Sequence, residues 1–264
     1  MLSTEDYAFF RHHGYLVLAD VFDAEEVGLY RQMYEQDRAT YGYCWSQGID
    51  LIRDGRRITT QSSSGDPLVT TPQIEPCIRH PRVLDAVEHL LGGAICFSEI
   101  SFRHMGPFTI DGPHKEIHHE WHRDRPHAMD HPLRAGHLQA MILLSDVTEK
   151  THCFSISPES VDEPVLQDND AQLAHRGYRN LHGRAGTVVL FNYSVLHTAT
   201  RRNSNDERRT IQIYYGLRDR PYLSEASPVP PALWRDHPDP EIRAFYGNLN
   251  NRTKVLTQAF GGAP

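Results

Sequence analysis

Apolar residues recur at helical spacing over the first ninety or so positions, then shift from Ala94 onward to short runs typical of strands. Ser3 and Asp6 form a capping box ahead of an aromatic-rich helix that should stop near Gly14. Tyr15–Leu18 reads as a short strand. Asp23 caps a second helix, on which Val27, Tyr30 and Tyr34 share one face. Residues 40–76 read as irregular, with TTQSSSGDP the most loop-like stretch. A third helix follows Pro81: Val83, Val87, Leu90 and Leu91 recur at helical spacing, and Gly92–Gly93 end it.

Beyond Ala94, AICFSEISF reads as a strand and leads into a Gly- and Pro-containing loop through Pro113. Strand candidates follow at Ile117–Arg123, His137–Leu144, Cys153–Ser157, Thr187–Phe191 and Thr210–Tyr215. Short strands joined by turn-rich links predict an antiparallel sandwich or barrel. After Pro221 the chain is Pro-rich, then helical near Pro240–Tyr246. The expectation is one domain over 1–264, mainly β with flanking helices. A helical and loop region (1–93) flanks a β-core (94–220), and a C-terminal extension (221–264) follows.

The length of 264 residues suits such a core, and 39% hydrophobic with 23% charged residues excludes a disordered or fibrous chain. No apolar run approaches the roughly 20 residues of a membrane helix. The opening MLSTEDYAFFRHHG lacks a basic region followed by an apolar one, so a soluble cytoplasmic protein is expected. A net charge of −7 without a basic block argues against nucleic-acid binding. Cys44, Cys77, Cys96 and Cys153 are too dispersed for a disulfide framework or a zinc ribbon. The 17 histidines carry information only through their placement.

One placement stands out. In HHEWHRD, a strand would turn His122 and Asp124 to one face and Arg123 to the other. His197, 75 positions downstream in the turn-like SVLHTAT after the strand TVVLFN, is the best second histidine. Two imidazoles and one carboxylate leave three adjacent positions open on an octahedral iron(II), as non-haem iron oxygenases require. The zinc-peptidase pattern H-E-x-x-H begins at His119–Glu120 but meets Arg123 where it needs a histidine. His118 and His119 are read as supporting or solvated groups rather than ligands.

Further on, TRRNSNDERRTIQIYYG offers arginines for an anionic co-substrate, because a guanidinium meets a carboxylate with two hydrogen bonds. Arg208 opens a strand eleven positions after His197, and Arg209 points to the opposite face. Arg201 and Arg202 are placed on an exposed turn.

These segments resemble the phytanoyl-CoA dioxygenase family over most of the chain. FRHHGYLVLADVFDAEEV is similar to its N-terminal helix, Gly-Tyr strand and second helix, and HPRVLDAVEHLLGG to the helix before its barrel. WHRD is similar to its proximal metal motif, HTATRRNSNDERR to its distal His-to-Arg stretch, and SDVTEKTHCFSISPES to a strand pair. The resemblance implies a double-stranded β-helix (a jelly-roll, cupin-like core), iron(II), 2-oxoglutarate and O2, and oxidation of an unactivated C–H bond with release of succinate and CO2. His122, Asp124 and His197 match the ligand positions, and Arg208 matches the co-substrate arginine. Pro158-Glu159-Ser160-Val161 lacks the family's usual Gly and His. Ala199 stands where some relatives place a hydroxyl, a role left to Thr198 or Thr200. Gln139 is a candidate polar contact in the barrel. With Asp124 present, hydroxylation is favoured over the chlorination of relatives that carry a small residue there.

A small metabolite or natural-product intermediate is the expected substrate. Pocket walls are assigned to residues 40–72, the loop near His104–His114 and the part after Pro221. Tyr41, Tyr43 and Trp45 line a pocket or pack in the core, and Arg53, Arg56 and Arg57 meet an anion or face solvent. A protein or peptide hydroxylase with the same metal site, and a non-catalytic binding module of the same fold, are the alternatives. Oligomeric state is left open.

Overall fold

The computed structural model describes residues 2–47, 51–53, 56–58, 61–110, 115–124 and 136–259. The side chains of Arg53, Arg56 and Arg57, and residues 111–114 of the loop assigned to the pocket wall, lie outside what is described.

Helix α1 (Thr4–His13) starts on the expected capping box, with the Asp6 amide donating to Ser3 Oγ at 3.1 Å and the Ser3 amide to Asp6 Oδ2 at 3.0 Å. It ends at Gly14, whose φ of +74° is left-handed and whose Cβ, were there one, would lie 2.7 Å from the Glu159 carbonyl. Helix α2 (Ala24–Thr40) is capped by Asp23 and buries Val27, Tyr30 and Tyr34, the face that its periodicity predicts. The helix Pro81–Leu91 begins on its proline, buries Val83, Ala86 and Val87, and stops at Gly92 with φ +73°.

Among the described residues the strands are, in chain order, β1 (Tyr15–Leu18), β2 (Trp45–Gln47), β3 (Leu51–Arg53), β4 (Arg56–Ile58) and β5 (Gln61–Ser64). β6 (Ile95–Met105), β7 (Glu116–His118), β8 (His137–Leu143) and β9 (Cys153–Ile156) follow. The last are β10 (Arg179–Leu181), β11 (Val188–Asn192), β12 (His197–Arg202) and β13 (Arg208–Leu217). They form a seven-stranded antiparallel sheet, β1-β11-β8-β13-β6-β5-β2, a four-stranded one, β10-β9-β12-β7, and a two-stranded one, β3-β4. The fold is a double-stranded β-helix flanked by helices.

The larger sheet reaches beyond residues 94–220. β1 forms one edge, and β5 and β2 the other, so part of 40–76 is ordered strand. QSSS carries no apolar alternation; it is a strand because its backbone completes the open edge of β6. The extension after Pro221 is pinned there too: Ser227 Oγ accepts from the Ile100 amide at 3.0 Å, and Asn250 Nδ2 donates to the Ser227 carbonyl at 2.9 Å.

Strand alternation gives the larger sheet two chemically different faces. Phe102, Ile211, Ile213 and Ile142 face outward, where Tyr34 of α2 meets Phe102 at 5.2 Å between ring centroids. Trp45 joins this core, packing on Tyr34 at 5.3 Å and donating to the buried Asp37 at 2.8 Å. Tyr43 is exposed. Of the aromatic trio, then, Trp45 belongs to the core. The inner face instead carries Glu99, Ser101 and Arg103 on β6, Arg208, Thr210, Gln212 and Tyr214 on β13, and Gln139 on β8, beside Met105, Met141 and Leu143. Polar groups inside a barrel are costly unless they are hydrogen-bonded to one another or to a ligand.

Candidate metal centre

β7 ends at His118, earlier than the strand expected over Ile117–Arg123, because the His119 carbonyl takes the Thr198 hydroxyl at 2.8 Å instead of a ladder amide. The chain returns to β12 at a single point. His122 and His197 form an isolated antiparallel bridge, with the His122 amide donating to the His197 carbonyl at 3.0 Å and the reverse bond at 2.9 Å. Such a hydrogen-bonded pair sets two side chains on the same face. Their rings stand 4.4 Å apart between centroids, inclined at 60°.

Both imidazoles are oriented in the same way. Nδ1 of His122 lies 2.8 Å from the Glu120 carbonyl, and Nδ1 of His197 lies 2.8 Å from the Val195 carbonyl. A carbonyl only accepts, so each Nδ1 carries the proton and each Nε2 is left with a lone pair. Asp124 Oδ1 is 3.4 Å from His197 Nε2 and 3.7 Å from His122 Nε2. One ligand atom from each residue falls within 4.8 Å of the others. Two nitrogens and one carboxylate oxygen thus converge as the spacing of the three residues predicts.

The surroundings keep Asp124 anionic and act on the two histidines in opposite directions. Burial opposes ionisation of Asp124, but His197, the Tyr214 hydroxyl and His122 outweigh it and hold the carboxyl down to about 2. For His197, burial favours the neutral ring, and the neighbouring Asp124 overcomes it, raising the imidazole above its ordinary value. His122 is lowered, by burial first and then by His197. His197 is buried among Phe154 and Phe191, whose ring centroids lie 5.2 and 5.1 Å away, while the His122 side chain is 43% exposed. The centre therefore has an apolar back wall and an open side.

Arg123 points away from this face, as expected, and anchors the segment. Its guanidinium donates to Glu159 at 2.6 Å, to the Ser194 carbonyl at 2.9 Å and to the Leu166 carbonyl at 3.0 Å. Glu159 lies in the stretch that departs from the usual Gly and His of the family. Tyr214 donates its hydroxyl to Asp124 Oδ2 at 2.6 Å. Burial, then Asp124 and Glu99, push that phenol well above its ordinary value, so it remains a donor. Sequence reading passed over Tyr214, although strand parity places it on the same face as Arg208, six positions earlier.

Arg208 is 4% exposed, and its Nη1 has no hydrogen-bond partner among the described residues. Burial pushes the guanidinium down to about 10, and the nearest cations, Arg103 and Arg201, add to the effect. A buried cation without a counter-charge is costly, and a ligand carboxylate seated there would relieve it. Arg209 faces the other way and pairs with Glu35 and Glu207. Gln139 is on the inner face, donating to Gln212 at 2.9 Å.

Two expectations are corrected. Arg201 and Arg202 are not on an exposed turn: β12 runs through both and they are buried, Arg202 pairing with Glu116 at 3.1 Å and Arg201 lying over the Phe108 ring at 5.9 Å. The turn comes later because Arg202 still pairs in register with Glu116 of β7. Nor do Thr198 and Thr200 replace the missing hydroxyl at Ala199. They face away from His197 and bond to the His119 carbonyl (2.8 Å) and to His118 Nδ1 (2.8 Å). His118 is thus a supporting group, as expected.

The chain is similar in fold to several solved structures. The non-heme alpha ketoglutarate dependent carbocyclase SnoK from nogalamycin biosynthesis shares 18% identity over 84% of this chain and 86% of that one, with a TM-score of 0.68. EctD from S. alaskensis, solved with 2-oxoglutarate and 5-hydroxyectoine, shares 19% over 86% of each chain at 0.65. HygX from Streptomyces hygroscopicus, solved with nickel, 2-oxoglutarate and hygromycin B, shares 19% over 82% of this chain and 88% of that one at 0.59. No curated protein sequence matches. The family model for phytanoyl-CoA dioxygenase matches residues 10–210, from the end of α1 to the start of β13, which takes in both histidines, Asp124 and Arg208. The chain belongs to the phytanoyl-CoA dioxygenase family.

Proposed function

We propose that this protein is an iron(II)- and 2-oxoglutarate-dependent oxygenase that hydroxylates an unactivated C–H bond of a small metabolite or natural-product intermediate. One observation carries the reading. Nε2 of His122, Nε2 of His197 and Oδ1 of Asp124 converge on one point, and the buried Arg208, whose guanidinium has no counter-charge among the described residues, faces the same interior. The donor set fits iron(II), and the orphaned Arg208 Nη1 fits the far carboxylate of 2-oxoglutarate. The similar structures include ones with 2-oxoglutarate bound, and their other named ligands, 5-hydroxyectoine and hygromycin B, are small molecules.

In this reading His122, Asp124 and His197 hold the ion, and Arg208 orients the co-substrate by its distal carboxylate. Phe154 and Phe191 keep water from the His197 side. Gln139 is a polar contact on the inner wall, turned toward Gln212. When bound, iron(II), 2-oxoglutarate and O2 supply the oxidising chemistry, with succinate and CO2 released. The protein contributes position and exclusion of water.

The test is release of labelled CO2 from 1-labelled 2-oxoglutarate by the purified chain with iron(II) and ascorbate, set against Asp124→Ala. Slow turnover without substrate is expected from the wild type and none from the variant. Equal rates, or none from either, would remove the assignment. Once a substrate is found, a mass gain from 18O2 in the product separates hydroxylation from epimerisation or ring closure.

A further inference from the structure

The two oxygens of Asp124 are not equivalent. Oδ1 faces both histidine Nε2 atoms, at 3.7 and 3.4 Å, whereas Oδ2 is taken by the Tyr214 hydroxyl at 2.6 Å. Tyr214 is itself firmly placed. It is 7% exposed and paired with Glu99 of β6 on one side and Gln139 of β8 on the other. Beside it the β13–β6 register shifts: Tyr214 pairs with Glu99 and Tyr215 with Phe97, so the bulged residue, Ser98, lies on β6. On the far side of the bulge Tyr215 points outward, donating to the Ile78 carbonyl at 2.7 Å.

We propose that Tyr214 is a positioning residue of the metal centre: by fixing Oδ2 it presents Oδ1 alone, so that Asp124 occupies one coordination position rather than two. The inference rests on the iron reading above. A carboxylate free to rotate can chelate through both oxygens and close a position that a bidentate co-substrate needs. Held by a hydrogen bond, it would offer the ion one oxygen and leave room beside it for a chelating co-substrate. The hydroxyl also removes the rotational freedom that Asp124 would otherwise lose on binding the ion, which pre-forms the site.

The experiment is calorimetric titration of the metal-free chain with cobalt(II), a redox-silent probe, in wild type, Tyr214→Phe and Tyr214→4-aminophenylalanine. Phenylalanine keeps the ring and removes the donor; the amino analogue restores a donor in the same place. Cobalt(II) is expected to bind Tyr214→Phe about 10- to 100-fold more weakly than wild type, the size usual for loss of a partner behind a ligand. The amino analogue should recover most of that loss. Melting of each metal-free variant is recorded alongside, because a merely structural hydroxyl would lower the melting temperature and leave the cobalt(II) affinity unmoved. That result overturns the proposal, and so does an affinity loss that the amino analogue fails to recover. If wild type itself takes up no cobalt(II), the iron reading fails first; if wild type binds and Tyr214→Phe matches it, this inference alone fails.

Discussion

His122 and His197, 75 positions apart in the chain, exchange both backbone hydrogen bonds across a single bridge, and each ring is locked through Nδ1 to the carbonyl two residues before it. The backbone thus brings the two Nε2 atoms together. His197→Ala removes a donor itself, not a group behind one. The loss of cobalt(II) affinity should therefore exceed the about 10- to 100-fold typical of an outer partner. Calorimetric titration measures it, and a smaller loss would place the ion elsewhere.

Arg208 gives a prediction of two opposite signs. Arg208→Met removes a bidentate partner for the co-substrate, and charged hydrogen bonds are worth about 1.5–3 kcal/mol. The concentration of 2-oxoglutarate needed for half-maximal turnover should therefore rise about 10- to 100-fold. The same change replaces a buried cation, without a counter-charge among the described residues, by an apolar chain, so the ligand-free protein should melt at an equal or higher temperature. A lower melting point with an unchanged 2-oxoglutarate requirement would show that the guanidinium serves the fold.

The pH dependence of stability should bend at a histidine far from the ligands. His152 is fully buried; its Nε2 donates to the Gly106 carbonyl at 2.9 Å and its Nδ1 accepts from the Arg202 amide at 3.2 Å. Protonation would set an N–H against an N–H. Burial first, then Arg208, Arg201 and Arg202, lower this ring from 6.5 to about 4. A depressed histidine favours the fold above its unfolded value and loses that contribution as pH falls from 6.5 through 4. The His152 share of the loss is about 2 kcal/mol between pH 8 and pH 5, so the slope should be smaller by that amount in His152→Gln. Urea unfolding at the two pH values checks it. His104, also lowered to about 4, keeps the slope of the variant above zero.

The Arg123–Glu159 pair should carry the segment that bears the ligands. Both side chains are under a tenth exposed and their closest approach is 2.5 Å. Burial nevertheless pushes the Glu159 carboxyl up to about 6, against the pull of Arg123. Glu159→Ala leaves Arg123 buried without its partner, a change that costs about 3–5 kcal/mol. Replacing both residues by apolar ones of similar volume should recover part of it. Denaturant midpoints decide the order of the three variants; equal stability of Glu159→Ala and wild type would deny the pair this role.

The sequence made the helices Thr4–His13, Ala24–Thr40, Pro81–Leu91 and Pro240–Tyr246, most core strands and the three converging side chains legible, because each depends on local chemistry; the helices Asn169–Arg176 and Asn251–Ala259 went unread. A capping serine or aspartate, a glycine with positive φ and period-two alternation act over a few residues, so Ser3, Asp23, Gly14 and Gly92 mark the helix ends that the structure shows. The same parity put His122 and Asp124 on one face and turned Arg123 and Arg209 away. Arg201 and Arg202 were misread because charge in a short link looks like a solvated turn. Only the pairing of β12 with β7 shows that the strand continues through them.

Other features were settled by distant parts of the chain meeting. QSSS is a strand because β6 offers an unpaired edge, Tyr214 meets Asp124 across 90 positions, and Glu159 reaches Arg123 across 36. Hydrogen bonds and ion pairs of this kind carry no periodic signal, since their partners are brought together by the winding of the sheet and not by spacing along it. Residue types and their alternation name the groups able to grip an ion; closure of the barrel decides which oxygen of Asp124 is free to do so.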